Sequence, residues 1–164
     1  MEVSVSDQSI LKGKSILAVD DEPDVLEVIQ ENLPDAIVTT AGSFETAATL
    51  IDEQDFDLVI LDIMGVNGFD LLKACRKRRL PAAMLTAQSM NVESLNRAIR
   101  EGAVSFLPKY ELHTLPDIVA EILEAIEQGK SHWVKLFERL GPYFKKKLGV
   151  VWADLEKPPF PPGY

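Results

Sequence analysis

A chain of 164 residues with a formal net charge of −9, 46% hydrophobic and 26% charged, has the make-up of one ordinary globular domain with a tail. The acidic balance argues against gripping a nucleic-acid backbone as the main task and suits cations or basic partner surfaces. Cys75 is the one cysteine, so no internal disulfide is expected; no apolar run reaches the roughly 18 residues of a membrane span, and "MEVSVSDQSILKGK" lacks a signal-peptide pattern, so a cytoplasmic protein is expected.

In chain order, short apolar runs alternate with helical periodicities. "SILAV" (15–19) reads as a strand that ends in acid, and "PDVLEVIQENL" (23–33) as a helix with Pro23 in its first turn and Pro34 beyond its end. "AIVTT" (36–40) is a strand, followed by the helix "SFETAATLIDEQ" (43–54) with Ser43 as its cap. "DLVIL" (57–61) is a continuous apolar strand, and "GFDLLKACRKR" (68–78) is a helix that carries Cys75 beside Leu71 and Leu72 as a small buried residue. "AAML" (82–85) is a short strand, and "NVESLNRAIREG" (91–102) a helix capped by Asn91 and closed by Gly102. "VSFL" (104–107) is the last strand, and "TLPDIVAEILEAIEQG" (114–129) opens on a Thr114-x-x-Asp117 capping pattern. Five strand–helix units of this kind predict an α/β doubly wound fold with a five-stranded parallel sheet covered on both faces. The expected organisation is an arm over 1–14, a domain over 15–129, and a helical extension with a Pro-rich tail over 130–164.

In such sheets the ligand crevice lies outside the carboxyl ends of the strands. Asp20 and Asp21 end the first strand, Asp62 the third and Thr86 the fourth, and Lys109 follows the fifth. Two like charges about 4 Å apart cost roughly 4 kcal/mol near a surface, so an acid cluster needs compensation. Three carboxylates make a hard, oxygen-only site, and that composition suits Mg2+. Glu22 reads as a solvated first-turn acid favoured by the helix dipole. A nucleotide site would need a glycine-rich turn after the first strand, and "DDEP" (20–23) instead repels phosphate.

The pieces "ILAVDDEP", "DLVILDIM", "MLTA" and "EGAVSFLPK", spread in order over residues 15 to about 128, resemble the receiver domain of two-component response regulators. The resemblance implies the flavodoxin-like receiver fold and a partner sensor histidine kinase or phosphotransfer protein. It implies that Asp62 accepts a phosphoryl group, that Asp21, Asp62 and the Met64 carbonyl bind Mg2+, and that Asp20 acts through water. It further implies that Lys109 pairs with Asp62 and then with the phosphoryl oxygens, that Thr86 hydrogen-bonds one of them, and that Phe106 is the switch aromatic. The chain departs from the pattern after Asp62. The proline of the usual Asp-x-x-Met-Pro is missing, the loop "IMGVN" (63–67) reads as about two residues shorter, and Gly65 could rebuild the turn through a positive φ. Pro108 precedes Lys109 where the family usually has a proline after it, which puts the approach of the lysine in question. Met64, an apolar side chain two residues after Asp62, cannot align water, so slow loss of the phosphoryl group is expected, with Gln88 a residue that could partly do so.

The extension offers Trp133, Leu136, Phe137 and Leu140 on one helical face, with Ser131 as cap and Gly141-Pro142 as the expected end. Tyr143, Phe144, Leu148 and Trp152 add apolar bulk, and the run Lys145–Lys147 reads as a solvated face. His113 and His132 lack metal-ligand spacing and read as surface or cap residues. The extension is too short for a recognition-helix output domain, so no direct DNA binding is expected; the reading is a stand-alone receiver acting through a downstream protein target. A homodimer could form through the extension or the 91–128 face, and a tail docked near that face would couple to phosphorylation. The competing readings are an unphosphorylated pseudo-receiver serving as an interaction module, which an intact Asp20, Asp21, Asp62, Thr86 and Lys109 set disfavours, and a metal-dependent phosphatase, which would need a base beside the attacking aspartate.

Overall fold

A computed structural model of the protein describes residues 8–87, 91–143 and 145–146. One parallel sheet is built from β1 (Ser15–Val19), β2 (Ile37–Ala41), β3 (Leu58–Asp62), β4 (Ala82–Thr86) and β5 (Ser105–Pro108), in the order β2-β1-β3-β4-β5. The register aligns Val19 with Leu61, Leu61 with Met84, and Met84 with Phe106. Every residue of β3 and β4 is buried, which is why those strands read as unbroken apolar runs rather than alternating ones. The chain steps from β1 out to β2, then returns through β3, β4 and β5. That reversal beside β1 opens the crevice at the carboxyl edge.

The helices are α1 (Pro23–Asn32), α2 (Phe44–Glu53), α3 (Gly68–Lys77), α4 (Val92–Arg100), α5 (Leu115–Glu127) and α6 (Trp133–Tyr143). Right-handed crossovers place α2, α3 and α4 on one face and α1 on the other. Accordingly α2 packs on α3, the Arg97 guanidinium of α4 lies 4.0 Å from the Phe69 ring centroid of α3, and α5 joins α1. The Ser43 hydroxyl accepts from the Thr46 amide at 3.2 Å and Asn91 from the Ser94 amide at 2.9 Å, as the caps require.

Two expectations about helix ends are corrected. Thr114 does not cap α5: a 3-10 turn, Lys109–Thr114, leads straight into the helix, and the Thr114 hydroxyl turns back to donate to the Glu111 carbonyl at 2.6 Å. Asp117 instead accepts from Gln8 at 2.8 Å, at a short 3-10 segment (Gln8–Leu11) that packs on α5 and buries Leu11. Likewise Gly141-Pro142 does not end α6, which continues to Tyr143. Proline there falls in the last turn, where its missing N–H forgoes only one backbone bond.

Strand β5 is an edge of the sheet, and α6 packs beside it. Trp133, 2% exposed, sets its ring edge-to-face on Phe106 with centroids 5.0 Å apart, and its indole N–H donates to the Ala103 carbonyl at 3.1 Å. Leu136 is buried beside it, and the Ser131 hydroxyl accepts from the Trp133 amide at 3.2 Å. The side chains of Phe137, Leu140 and Tyr143, and the whole of Gln88, Phe144, Lys147, Leu148 and Trp152, lie outside the described residues. Truncating a buried tryptophan typically costs about 3–5 kcal/mol. Trp133→Ala is therefore expected to lower stability by that order in denaturant unfolding, and an unchanged midpoint would show that α6 is not held by this residue.

Candidate functional site

Parallel strands end on one edge, and here that edge gathers the charged residues. Asp20 leaves β1, Asp62 closes β3, Thr86 closes β4 and Lys109 follows β5. Carboxylate oxygens of Asp20, Asp21 and Asp62 lie within 4.8 Å of one another. The Lys109 ammonium stands 2.9 Å from Asp20 Oδ2 and 3.3 Å from Asp62 Oδ1, so it bridges the ends of β1 and β3. It also stands 3.4 Å from Glu22 Oε1, a neighbour that the reading of Glu22 as a plain solvated acid did not include, although Glu22 is indeed exposed. Asp20 Oδ1 accepts from the Glu22 amide at 2.8 Å, and Asp62 Oδ2 accepts from the Gly65 amide at 3.1 Å.

Burial decides the electrostatics. Asp20 is fully buried, and that desolvation, with the charge of Asp62, raises its pKa despite the opposing Glu22 amide and Lys109. For Lys109, burial pulls the pKa down, but the bond to Asp20 and the charges of Asp62 and Asp20 outweigh it and hold the ammonium above the usual lysine range. Four carboxylates, Glu22 included, gather around one ammonium, so the cluster keeps an excess of negative charge. Thr86, 1% exposed, has a hydroxyl with no hydrogen-bond partner among the described residues. A buried orphan hydroxyl beside an oxygen-only acid cluster fits a site built for a hard cation and an oxyanion.

Phe106 is buried under Trp133, so it belongs to the core and to the α6 contact together. The Met64 side chain is 77% exposed. Gly65 has no positive φ; the left-handed residue of the loop is Asn67, at φ 53°. Gly65 is needed for space: a Cβ there would stand 2.3 Å from Asp21 Oδ1. The missing proline was the sequence signal, but only the fold shows that the loop backbone at Gly65 lies against the Asp21 carboxylate. Burial pushes the Cys75 thiol up to about 12, in keeping with an inert apolar role.

His132 overturns its reading as a surface residue. It is buried, with Nδ1 2.8 Å from the Ser105 hydroxyl and Nε2 3.3 Å from Glu121 Oε2. The helix periodicity of α6 marked Trp133 and Leu136 but could not show that the residue before them is carried inward with the tryptophan. A serine, a histidine and a glutamate in line resemble a hydrolase triad. All three are buried, and together they tie the residue before α6 to β5 and α5. His113 is exposed, 3.6 Å from Glu111. Among the described residues no helix is long and apolar enough to cross a membrane.

A family model described as the response regulator receiver domain matches residues 16–122. The chain is 30% identical over 105 residues to the transcriptional regulatory protein TcrA of Mycobacterium tuberculosis, covering 60% of this chain and 41% of TcrA. It is 33% identical over 100 residues to the response regulator SaeR of Staphylococcus aureus, covering 57% of this chain and 43% of SaeR. The chain thus spans less than half the length of these curated relatives. Among solved structures, the Vibrio cholerae chemotaxis protein CheY4 superposes with a TM-score of 0.61 at 27% identity, over 67% of this chain and 98% of CheY4.

The raised pKa of Asp20 means that keeping it ionised costs the folded, metal-free protein stability. Stability from this group is present below the ordinary carboxylate pKa of about 3.9 and is lost as pH rises through the raised folded value. Asp20→Asn is therefore expected to raise the melting temperature of the metal-free protein at neutral pH. A fall would show that the Lys109 pairing outweighs the cost of burial.

Proposed function

The chain belongs to the response regulator receiver domain family, and from that premise we propose that it is a phosphoryl-accepting signalling protein whose acceptor is Asp62. The receiver unit is residues 15–129, with the arm 1–14 and the extension 130–164 outside it. The observation that carries the reading is Lys109 lying between Asp20 and Asp62 in a buried acid cluster, with the orphan Thr86 hydroxyl at the neighbouring strand end. Asp21, Asp62 and the Met64 carbonyl would hold Mg2+, with Asp20 acting through water. When bound, Mg2+ supplies positive charge that offsets the cluster and the phosphoryl oxygens.

The residues divide the work as phosphoryl transfer demands, by positioning and electrostatics. An Asp62 carboxylate oxygen attacks the phosphorus of a phosphohistidine on a sensor kinase or phosphotransfer protein. The O–P bond forms, the P–N bond breaks, and the departing imidazole carries off the electron pair and takes up a proton. Lys109 passes from pairing with Asp62 to pairing with a phosphoryl oxygen. Thr86 donates its hydroxyl to another, which gives that buried group its partner. Phe106 then connects the site strand to its contact surface: it sits on β5 and touches Trp133 of α6. The output is a change of protein contacts around α4, β5, α5 and α6, toward a downstream protein or a second copy, in the cytoplasm. No turnover of substrate is part of this role. The pseudo-receiver reading is disfavoured because Asp20, Asp21, Asp62, Thr86 and Lys109 all stand at one sheet edge.

Incubation with Mg2+ and acetyl phosphate should add the mass of one phosphoryl group, and Asp62→Asn should remove that gain. Stoichiometric labelling of the variant, or none in the wild type, defeats the proposal. Once formed, the phosphoryl group should persist for minutes or longer in Mg2+ buffer, because Met64 gives water no polar partner. Loss within seconds, followed by intact mass, contradicts that argument.

A further inference from the structure

The loop from β3 to α3 places two glycines against the acid cluster, and they do different things. At Gly68 a Cβ would meet the Asp62 carbonyl oxygen at 2.2 Å and Ile63 Cα at 2.8 Å. Those are backbone atoms at the end of a central strand, and they cannot swing aside. At Gly65 a Cβ would instead meet Asp21 Oδ1 at 2.3 Å, Cγ at 2.5 Å and Oδ2 at 2.7 Å. All three belong to one carboxylate at the end of an exposed side chain. A clash with a rotatable side chain is relieved by turning it, so the backbone stays and the carboxylate goes.

The three carboxylates are not equally free to move. Asp20 is fully buried and held by the Glu22 amide and Lys109. Asp62 is buried and held by Lys109 and by the Gly65 amide itself. Asp21 is the exposed member, so its position depends on what it rests against. Gly65 touches both ends of the pair proposed to hold the cation: its amide fixes Asp62 Oδ2 and its bare α-carbon seats the Asp21 carboxylate.

We propose that Gly65 is a positioning residue of the metal pocket, acting through Asp21. The shortened loop brings the backbone close enough that only a residue without a side chain leaves the Asp21 carboxylate in reach of Asp62. This rests on the reading of Asp20, Asp21 and Asp62 as a divalent cation site.

The test uses Mn2+ alone as probe, titrated into the full-length protein and followed by electron paramagnetic resonance, with thermal unfolding in metal-free buffer alongside. Gly65→Ala is expected to stay folded with a near wild-type melting temperature and to bind Mn2+ about 10–100-fold more weakly. Asp21→Ala should lose a similar amount. The double variant Asp21→Ala/Gly65→Ala should be no weaker than Asp21→Ala, because both act on one carboxylate. A purely structural glycine predicts the reverse: a lowered melting temperature and additive losses. Gly68→Ala should show that pattern. A folded Gly65→Ala with wild-type Mn2+ affinity overturns the inference, as does a Gly65→Ala that does not fold, since the displacement would then not be cheap. Wild-type protein that binds no Mn2+ overturns the underlying site as well, so the two failures are separable.

Discussion

A buried carboxylate is tolerated only beside a compensating charge, and in this protein that constraint falls on Asp20 and Lys109. The strand order makes the pairing demanding. Strand β5 lies two positions from β3 and three from β1, and neighbouring strands are about 4.8 Å apart. A cation that starts after β5 must therefore lean back across the end of β4 to reach the acids. Only a long side chain covers that gap, and it passes the end of the strand closed by Thr86. The same ammonium ties the ends of β1 and β3, so one side chain holds the carboxyl edge of the sheet together.

The same topology explains what was legible beforehand. Apolar runs such as "LVIL" marked the strands, and Ser43 and Asn91 marked helix starts, because these signals act within a few residues of themselves. Once five strand–helix units imply a parallel sheet, Asp20, Asp21, Asp62, Thr86 and Lys109 must share an edge, and their placement needed no long-range information. The misreadings had the opposite origin. Thr114 chose the Glu111 carbonyl over a cap because the 3-10 turn before α5 aimed its hydroxyl backwards. His132 entered the core because Ser105 and Glu121, far off in sequence, received it. Gly65 looked like a matter of torsion and proved to be one of space. The apolar face of α6 was visible in the periodicity of Trp133 and Leu136, but its contact with Phe106 was not.

The acid cluster and the α6 contact meet on one short strand. Phe106 stands opposite Met84, and two residues later Pro108 stands opposite Thr86, just before Lys109. A strand of four residues thus carries a core aromatic as its second residue and leads directly into Lys109. Alternate residues of a strand share a face, so Thr86 and Phe106 lie on the same side of the sheet.

The seating of α6 leaves the sheet with two unlike margins. An open edge strand is a template onto which another chain can add by backbone pairing, and folded proteins blunt such edges. On the β5 side the blunting is done by a helix with an indole bonded to the backbone just before the strand. On the β2 side the strand is only partly covered, with Ile37 61% exposed. A strand offered by another molecule would thus meet a partly open margin at β2 and a helix at β5, and Trp133 accounts for that difference.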